Sequence, residues 1–347
     1  MAQGLTDEQL KIRRGKYMAS DLAAYQGMSP YSSPIAAWAL NLGHDTLETN
    51  DAMQAGIHLE TGLIEWACEK LAAEIWDSPG TIFHIAYPWA GCTPDALLEY
   101  PGHDSVMIQI KCHGLHMAKD YGTPTEAGNE FDNDVIPEHY LIQVQWEMFV
   151  VSGTKRKVNT DFCYLGAYFG GADFRLFRIK RDQDMIDLMV EFGEKFWKKH
   201  LDPTGKQEAP PLDGSPGSAA FIKRRHPLNT KAEMIPPPDG AAEWAERYHS
   251  AHAHVGEWNK AKDEAKNHLT FMLEDHDGIE GICTYKAAAV KPKVNWEGVA
   301  EILYVVMETQ AMQLENAIVA PLEEFAAPFT TTPEPSRRFL FKWKPSE

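Results

Sequence analysis

The stretch VMIQIKCHG, residues 106–114, alternates so that Met107, Gln109 and Lys111 share one face of a strand and Ile108, Ile110 and Cys112 the other. A polar side chain and a lysine on one face of an apolar strand suit metal-dependent phosphodiester chemistry. Hard oxygen donors hold a divalent cation, and a lysine ammonium sets a compact positive charge where negative charge develops. Fourteen residues before Gln109, the segment CTPDAL places Asp95 after Pro94, where a strand resumes. Taken alone, Asp95 reads as a turn aspartate. Followed by a hairpin's length and a Gln-x-Lys strand, it becomes a candidate metal ligand. The third candidate is Glu60, three residues after Ile57 and four before Ile64 on a helical apolar stripe that continues through Ala67 and Leu71. A carboxylate there either lines a site or lies at the stripe's edge, and if buried it requires a cation.

The elements around these residues follow from pattern and caps. A short helix is expected over 21–26, capped by Ser20 and ended by Gly27. Another runs from Pro34 behind Ser33 and stops at Gly43. A long amphipathic helix covers 52–73 and carries Glu60. Strand-like runs TIFHIAYPW, DALLEY and VMIQIKC follow, then IPEHYLIQVQWEMFVVSG, apolar nearly all round and therefore a central helix. DFCYLGAYFGG and FRLFRIKR complete a sheet, and MIDLMVEFGEKFWKKHL is a further helix. Composition changes near residue 203. This predicts an α/β domain over 1–202, a Pro/Gly-rich linker over 203–239 and a mostly helical extension with a hairpin over 240–347.

The net charge of −17 disfavours a sequence-independent DNA coat, which would be basic overall, but not an enzyme that grips DNA with local patches. The cations are clustered: between Lys16 and Lys155 only Lys70, Lys111 and Lys119 occur, so Lys111 calls for acidic partners. Five widely spaced cysteines without CxxC or Cys/His metal spacing fit reduced thiols and argue against a zinc ribbon or an iron–sulfur cluster. The amino-terminal stretch lacks the apolar core of a signal peptide and no apolar run spans a bilayer, so a cytoplasmic protein without membrane association is expected.

The flanks make the arrangement specific. RRGKYMASDLAAYQGMSPY, GIHLETGLIEWACEK, CTPDALL, IQIKCHG and YLIQVQWEMFVV occur in this order over roughly residues 10–200. Together they resemble the lambda-exonuclease family, the YqaJ-type viral recombinases of the PD-(D/E)xK nuclease superfamily. The resemblance implies a restriction-endonuclease-like core, a central mixed sheet flanked by helices, with the carboxy-terminal extension appended. It implies one or two Mg²⁺ ions, replaceable by Mn²⁺, held by Glu60, Asp95, Gln109 and the Ile110 carbonyl, with Lys111 as the catalytic lysine. Arg13 and Ser20 match DNA-phosphate contacts, Gln143 matches a glutamine of the central helix, and Tyr140 lies one turn before it, as either a DNA contact or packing.

The departure from the pattern is Gln109, where the family carries a carboxylate; an amide oxygen still ligates Mg²⁺ but brings no charge. The activity implied is 5′→3′ degradation of one strand of linear double-stranded DNA, leaving a 3′ single strand for a phage annealing protein. The assembly implied is a homotrimer that threads duplex ends. A structure-specific endonuclease on the same fold, and a DNA-end-binding scaffold with weakened catalysis, are the alternatives.

Overall fold

The computed structural model describes residues 7–47, 49–99, 104–125, 131–226, 234–287, 293–300, 330–331 and 337–341. Its longest apolar strand pairing runs through β6 (Ser105–Cys112), whose first six residues are all buried. The period of two along β6 divides the core. Met107 joins one apolar cluster, while Ile108 and Ile110 join the other. One face of the strand therefore looks toward α5 (Glu138–Ser152) and α6 (Gln183–Phe196), the other toward α4 (Asp51–Leu71).

The main sheet has the order β2 (Glu74–Asp77), β5 (Ala96–Glu99), β6, β7 (Val158–Tyr168), β8 (Phe174–Lys180). Only β6 and β7 are parallel; the other neighbours are antiparallel, so the sheet is mixed. Parallel neighbours need a crossover, and α5 supplies it. Its buried residues run almost without interruption from Val144 to Val151, and Trp146 is fully enclosed by Tyr17, Trp89 and Phe149. Truncating so large a core ring costs about 3–5 kcal/mol. A second small sheet places β4 (Ala90–Cys92) between β1 (Tyr17–Met18) and β3 (Ile82–Phe83). Through the parallel pair β1–β4 it ties the amino-terminal segment to the strand region that leads into Asp95. Both β1 and β2 lie in stretches too short or too exposed to show a strand period.

The amino-terminal helices are α1 (Asp7–Arg13), α2 (Leu22–Tyr25) and α3 (Pro34–Leu42). Ser33 caps α3 by accepting from the Ala36 N–H, and Gly43 ends it with φ 76°, a value that an L side chain adopts at a cost. α4 is capped by Asn50 and buries Leu63, Ile64, Ala67 and Cys68. Ser20 is not a cap, contrary to the expectation above. It sits inside a 3-10 turn, Ala19–Asp21, and its hydroxyl is engaged by an arginine instead.

The domain boundary also moves. The chain divides into two units, 1–232 and 233–347. The stretch expected as linker contains α7 (Pro216–Arg225), docked on α3. Phe221 is buried with Ala36 and Ala39, Arg224 pairs with Asp45 at 2.9 Å, and a Cβ on Gly217 would come within 2.5 Å of the Ser32 carbonyl carbon. Helix 216–225 therefore belongs to the first unit, and the break falls after it. In the second unit, α8 (Ala241–Leu273) is the long helix of the extension expected to be mostly helical. The expected hairpin is an antiparallel sheet in which Cys283–Ala287 lies between Gly278–Ile279 and Arg337–Phe341. Residues 296–300 are helical, and the rest of the extension up to 329 lies outside the described residues. All five cysteines are free thiols. Among the described residues no helix is long and apolar enough to cross a membrane.

Candidate active site

Ala96 pairs with Ile108 in the antiparallel β5–β6 ladder. Continuing that register places Asp95 opposite Gln109 and Pro94 opposite Ile110. Pro94 has no N–H to give, so the ladder stops there. Asp95 takes over: its Oδ2 accepts from the Ile110 N–H at 2.6 Å. A strand residue projects its N–H and C=O to the same side, so the Ile110 carbonyl also faces the gap beside Asp95. Gln109 donates to Asp95 from its side chain. Its other polar atom, Oε1, is buried without a hydrogen-bond partner, and the residue is only 5% exposed.

Glu60 reaches the same place from α4. Burial pushes its carboxyl up to about 7, the Asp95 charge adds to the rise, and Lys111 opposes it. Asp95 is also raised by burial, against the pull of Lys111, the Ile110 N–H and Gln109. Glu60, Asp95 and Lys111 thus feel one another directly, although they come from a helix and two strands. Lys111 lies with its ammonium 5.4 Å from the centroid of the Tyr140 ring on α5. Tyr140 shares a hydrogen bond with Tyr31, and burial holds its phenol protonated well above the ordinary range.

Arg13, at the end of α1, closes the opposite side. It donates to Thr93 Oγ1 at 3.1 Å and to Ser20 Oγ at 2.7 Å, and the Ser20 hydroxyl contacts Asp21 at 3.2 Å. Its charge reaches Asp21, Cys92 and Glu147. Arg14, the other half of the arginine pair, is exposed and lies against Gly43 on α3, so Arg13 alone enters the cluster. The basic run at 154–157 is partly engaged elsewhere, since Arg156 forms an ion pair with Asp77 on β2.

Two residues beneath the site were not singled out by sequence reasoning. Glu147, one turn after Gln143 on α5, is 1% exposed. Its Oε1 accepts from Gln143 Nε2 at 2.8 Å, and its Oε2 has no partner. Burial pushes its carboxyl up to about 8, opposed by Lys111, Gln143 and Arg13 and reinforced by Asp95. The signal was present: a lone carboxylate inside a helix apolar on every side. His113, two residues past Lys111, hydrogen-bonds Tyr121 at 2.7 Å and is lowered to about 4 by burial and by Lys111. No sequence period marks it, because β6 has already ended.

The donor set for a divalent cation is therefore mixed: carboxylates from Glu60 and Asp95, the unpartnered amide oxygen of Gln109 and the Ile110 carbonyl. All are hard oxygens, as Mg²⁺ requires. Among the described residues no three His, Cys, Asp or Glu side chains by themselves form a metal cluster. Crowded carboxylates with raised proton affinity around an orphaned oxygen fit a cation.

An acid at the start of one strand, an amide-x-lysine on its neighbour and a flanking helix carboxylate thus meet in a mixed α/β fold. Residues 8–157 match the YqaJ-like viral recombinase domain. It is similar to the uncharacterized protein YqaJ of Bacillus subtilis (strain 168), 21% identical over 271 residues that make up 78% of each chain. Among solved structures it is similar to LHK-Exo in complex with dAMP, at 22% identity and TM-score 0.42, over 55% of this chain and 90% of that one. It is similar also to the alkaline exonuclease LHK-Exo from Laribacter hongkongensis, at 24% identity and TM-score 0.40, with the same coverage.

Proposed function

We propose that the chain is a metal-dependent deoxyribonuclease that degrades one strand of linear double-stranded DNA in the 5′→3′ direction. The observation that carries the reading is the convergence of Glu60, Asp95, Gln109 and Lys111 on one gap in the β5–β6 ladder, with a buried amide oxygen left unpartnered there. Glu60, Asp95, Gln109 Oε1 and the Ile110 carbonyl would hold one or two Mg²⁺ ions, with Mn²⁺ as a substitute. Bound there, such an ion supplies Lewis-acid chemistry at the phosphate and makes water a stronger nucleophile. Lys111 places its charge beside the scissile phosphate and stabilises the negative charge that grows in the transition state. Arg13, fixed by Thr93 and Ser20, presents its guanidinium to a terminal phosphate, for which a planar fork of donors is well suited. Tyr140 flanks Lys111 on the DNA side, while Gln143 acts through Glu147.

The same reading gives a 3′ single strand as product, passed to a phage single-strand annealing protein. A cytoplasmic homotrimer around the duplex would reconcile the charge of −17 with DNA binding, since only a channel must be positive. Linear and circular duplexes incubated with Mg²⁺ separate the readings. Digestion confined to linear DNA supports the exonuclease, cutting of circles the structure-specific endonuclease, and end binding without cleavage the scaffold. Lys111→Ala should lower cleavage by about a hundredfold or more, the scale for losing one transition-state donor, with end binding intact. Undiminished Mg²⁺-dependent digestion by that variant would sink the assignment.

A further inference from the structure

The Tyr140 ring that faces the Lys111 ammonium at 5.4 Å belongs to a wall of aromatic side chains. His139 lies against it with ring centroids 4.0 Å apart, and Tyr121 stacks on it at 6.3 Å. Tyr121 is buried and ties the wall to the core. The wall ends in Tyr31, whose ring meets His139 edge-on at 5.8 Å and is 63% exposed. An exposed tyrosine by itself is ordinary. Tyr31 is set apart by how firmly it is held. Ser29 Oγ accepts from the N–H groups of Tyr31 and Ser32, both at 3.2 Å, which fixes the backbone of the loop. The Tyr31 and Tyr140 side chains share a hydrogen bond. Behind the loop, Gly217 of α7 packs so closely that a Cβ on it would meet the Ser32 carbonyl carbon at 2.5 Å. Restraining a side chain costs conformational entropy. Here that freedom is given up by a ring that buries little of its own surface, so the restraint serves contact with a molecule from outside. The ring carries no N–H and no charge, which makes it a poor partner for a phosphate and a good one for the face of a nucleobase.

We propose that Tyr31 is a specificity-determining residue, a stacking platform for one unpaired base of the DNA strand whose phosphate lies at Lys111. Tyr140 joins the two, since it touches the lysine by its ring and Tyr31 by its hydroxyl. Bases inside a duplex already stack on their neighbours, so only a strand end or a single strand presents a free face. The platform therefore selects nucleotides that are unpaired beside the cleavage point, and it does so without regard to sequence, because every base has a π-face. The inference rests on the nuclease reading above.

The test uses the full chain with Ca²⁺ in place of Mg²⁺, to hold DNA without cutting it, and a duplex whose short unpaired 5′ end carries the fluorescent base 2-aminopurine at its terminus. Emission of this base falls when it stacks. Binding of the natural protein should quench the probe, and the same probe placed within the duplex should change little. Loss of one base–aromatic stack corresponds to about tenfold in affinity. Tyr31→Ala and Tyr31→Leu should therefore bind the unpaired end about tenfold more weakly and leave the probe bright at saturation. Tyr31→Phe and Tyr31→Trp, which keep a ring, should quench it. Tyr31→Leu keeps apolar bulk and removes the π-face, so it separates stacking from simple packing, and unchanged melting of the variants shows that the fold is intact. Equal quenching and equal affinity of Tyr31→Leu and the natural protein overturn the role of Tyr31, while Mg²⁺-dependent digestion by the natural protein leaves the nuclease reading standing. Absence of DNA binding by the natural protein overturns both.

Discussion

Glu147→Gln in the metal-free protein isolates what the buried carboxylate costs the fold. The side chain is 1% exposed and its carboxyl is raised from 4.5 to about 8. A folded-state value above the unfolded one means that the folded protein holds the proton more tightly. The stabilisation is fully present below pH 4.5 and is lost as pH rises through 8. That rise corresponds to about 5 kcal/mol as an upper bound, and local relaxation with water entry reduces this to roughly 2–3 kcal/mol. Glutamine has nearly the same shape, can still accept from Gln143 through its amide oxygen, and does not ionise. At pH 5 the two proteins should melt at nearly the same temperature. At pH 9, with chelator present, Glu147→Gln should melt about 5–10 °C higher, taking roughly 2–4 °C per kcal/mol for a unit of this size. Melting curves followed by circular dichroism from pH 5 to 9 provide the assay. A gap between the variants that does not widen with pH would show that Glu147 is solvated or paired.

The remaining expectations concern the rim and the domain boundary. Arg13→Ala should slow digestion of 5′-phosphorylated ends to the rate seen on 5′-hydroxyl ends, and equal rates on both ends with the natural protein would remove the terminal-phosphate role. A chain ending at residue 232 should stay folded with sharp thermal unfolding. Ending it near 205 removes Phe221 from Ala36 and Ala39 and should lower stability by about 2–4 kcal/mol, as for loss of one buried aromatic contact surface. Identical melting of the two shortened chains would show that α7 adds nothing to the first unit.

Periodicity and cap residues in the sequence were enough to define α3, α4, α5, β6 and α8, because each repeats its signal over many residues. Asp95, Gln109 and Lys111 were legible for the same reason: two adjacent strands joined by a short connection leave few ways to pair, and alternation fixes the face. Glu60 was legible as an anomaly on an apolar stripe. Ser20 shows the limit of local reasoning. A serine before a short helix satisfies the pattern of a cap, but a tertiary partner, Arg13, claimed its hydroxyl. The linker showed the same limit in composition, since a Pro/Gly-rich stretch can still dock a helix when Gly217 allows backbone approach and Phe221 finds a pocket. Glu147 was visible as a charge in an apolar helix, but whether it faced solvent, a cation or Lys111 depended on which helix face met the sheet. Hydrophobic pattern determines that a helix is buried. Which of its residues meets which strand is settled only when the chain packs, because burial free energy is non-directional and the fit of side chains is not.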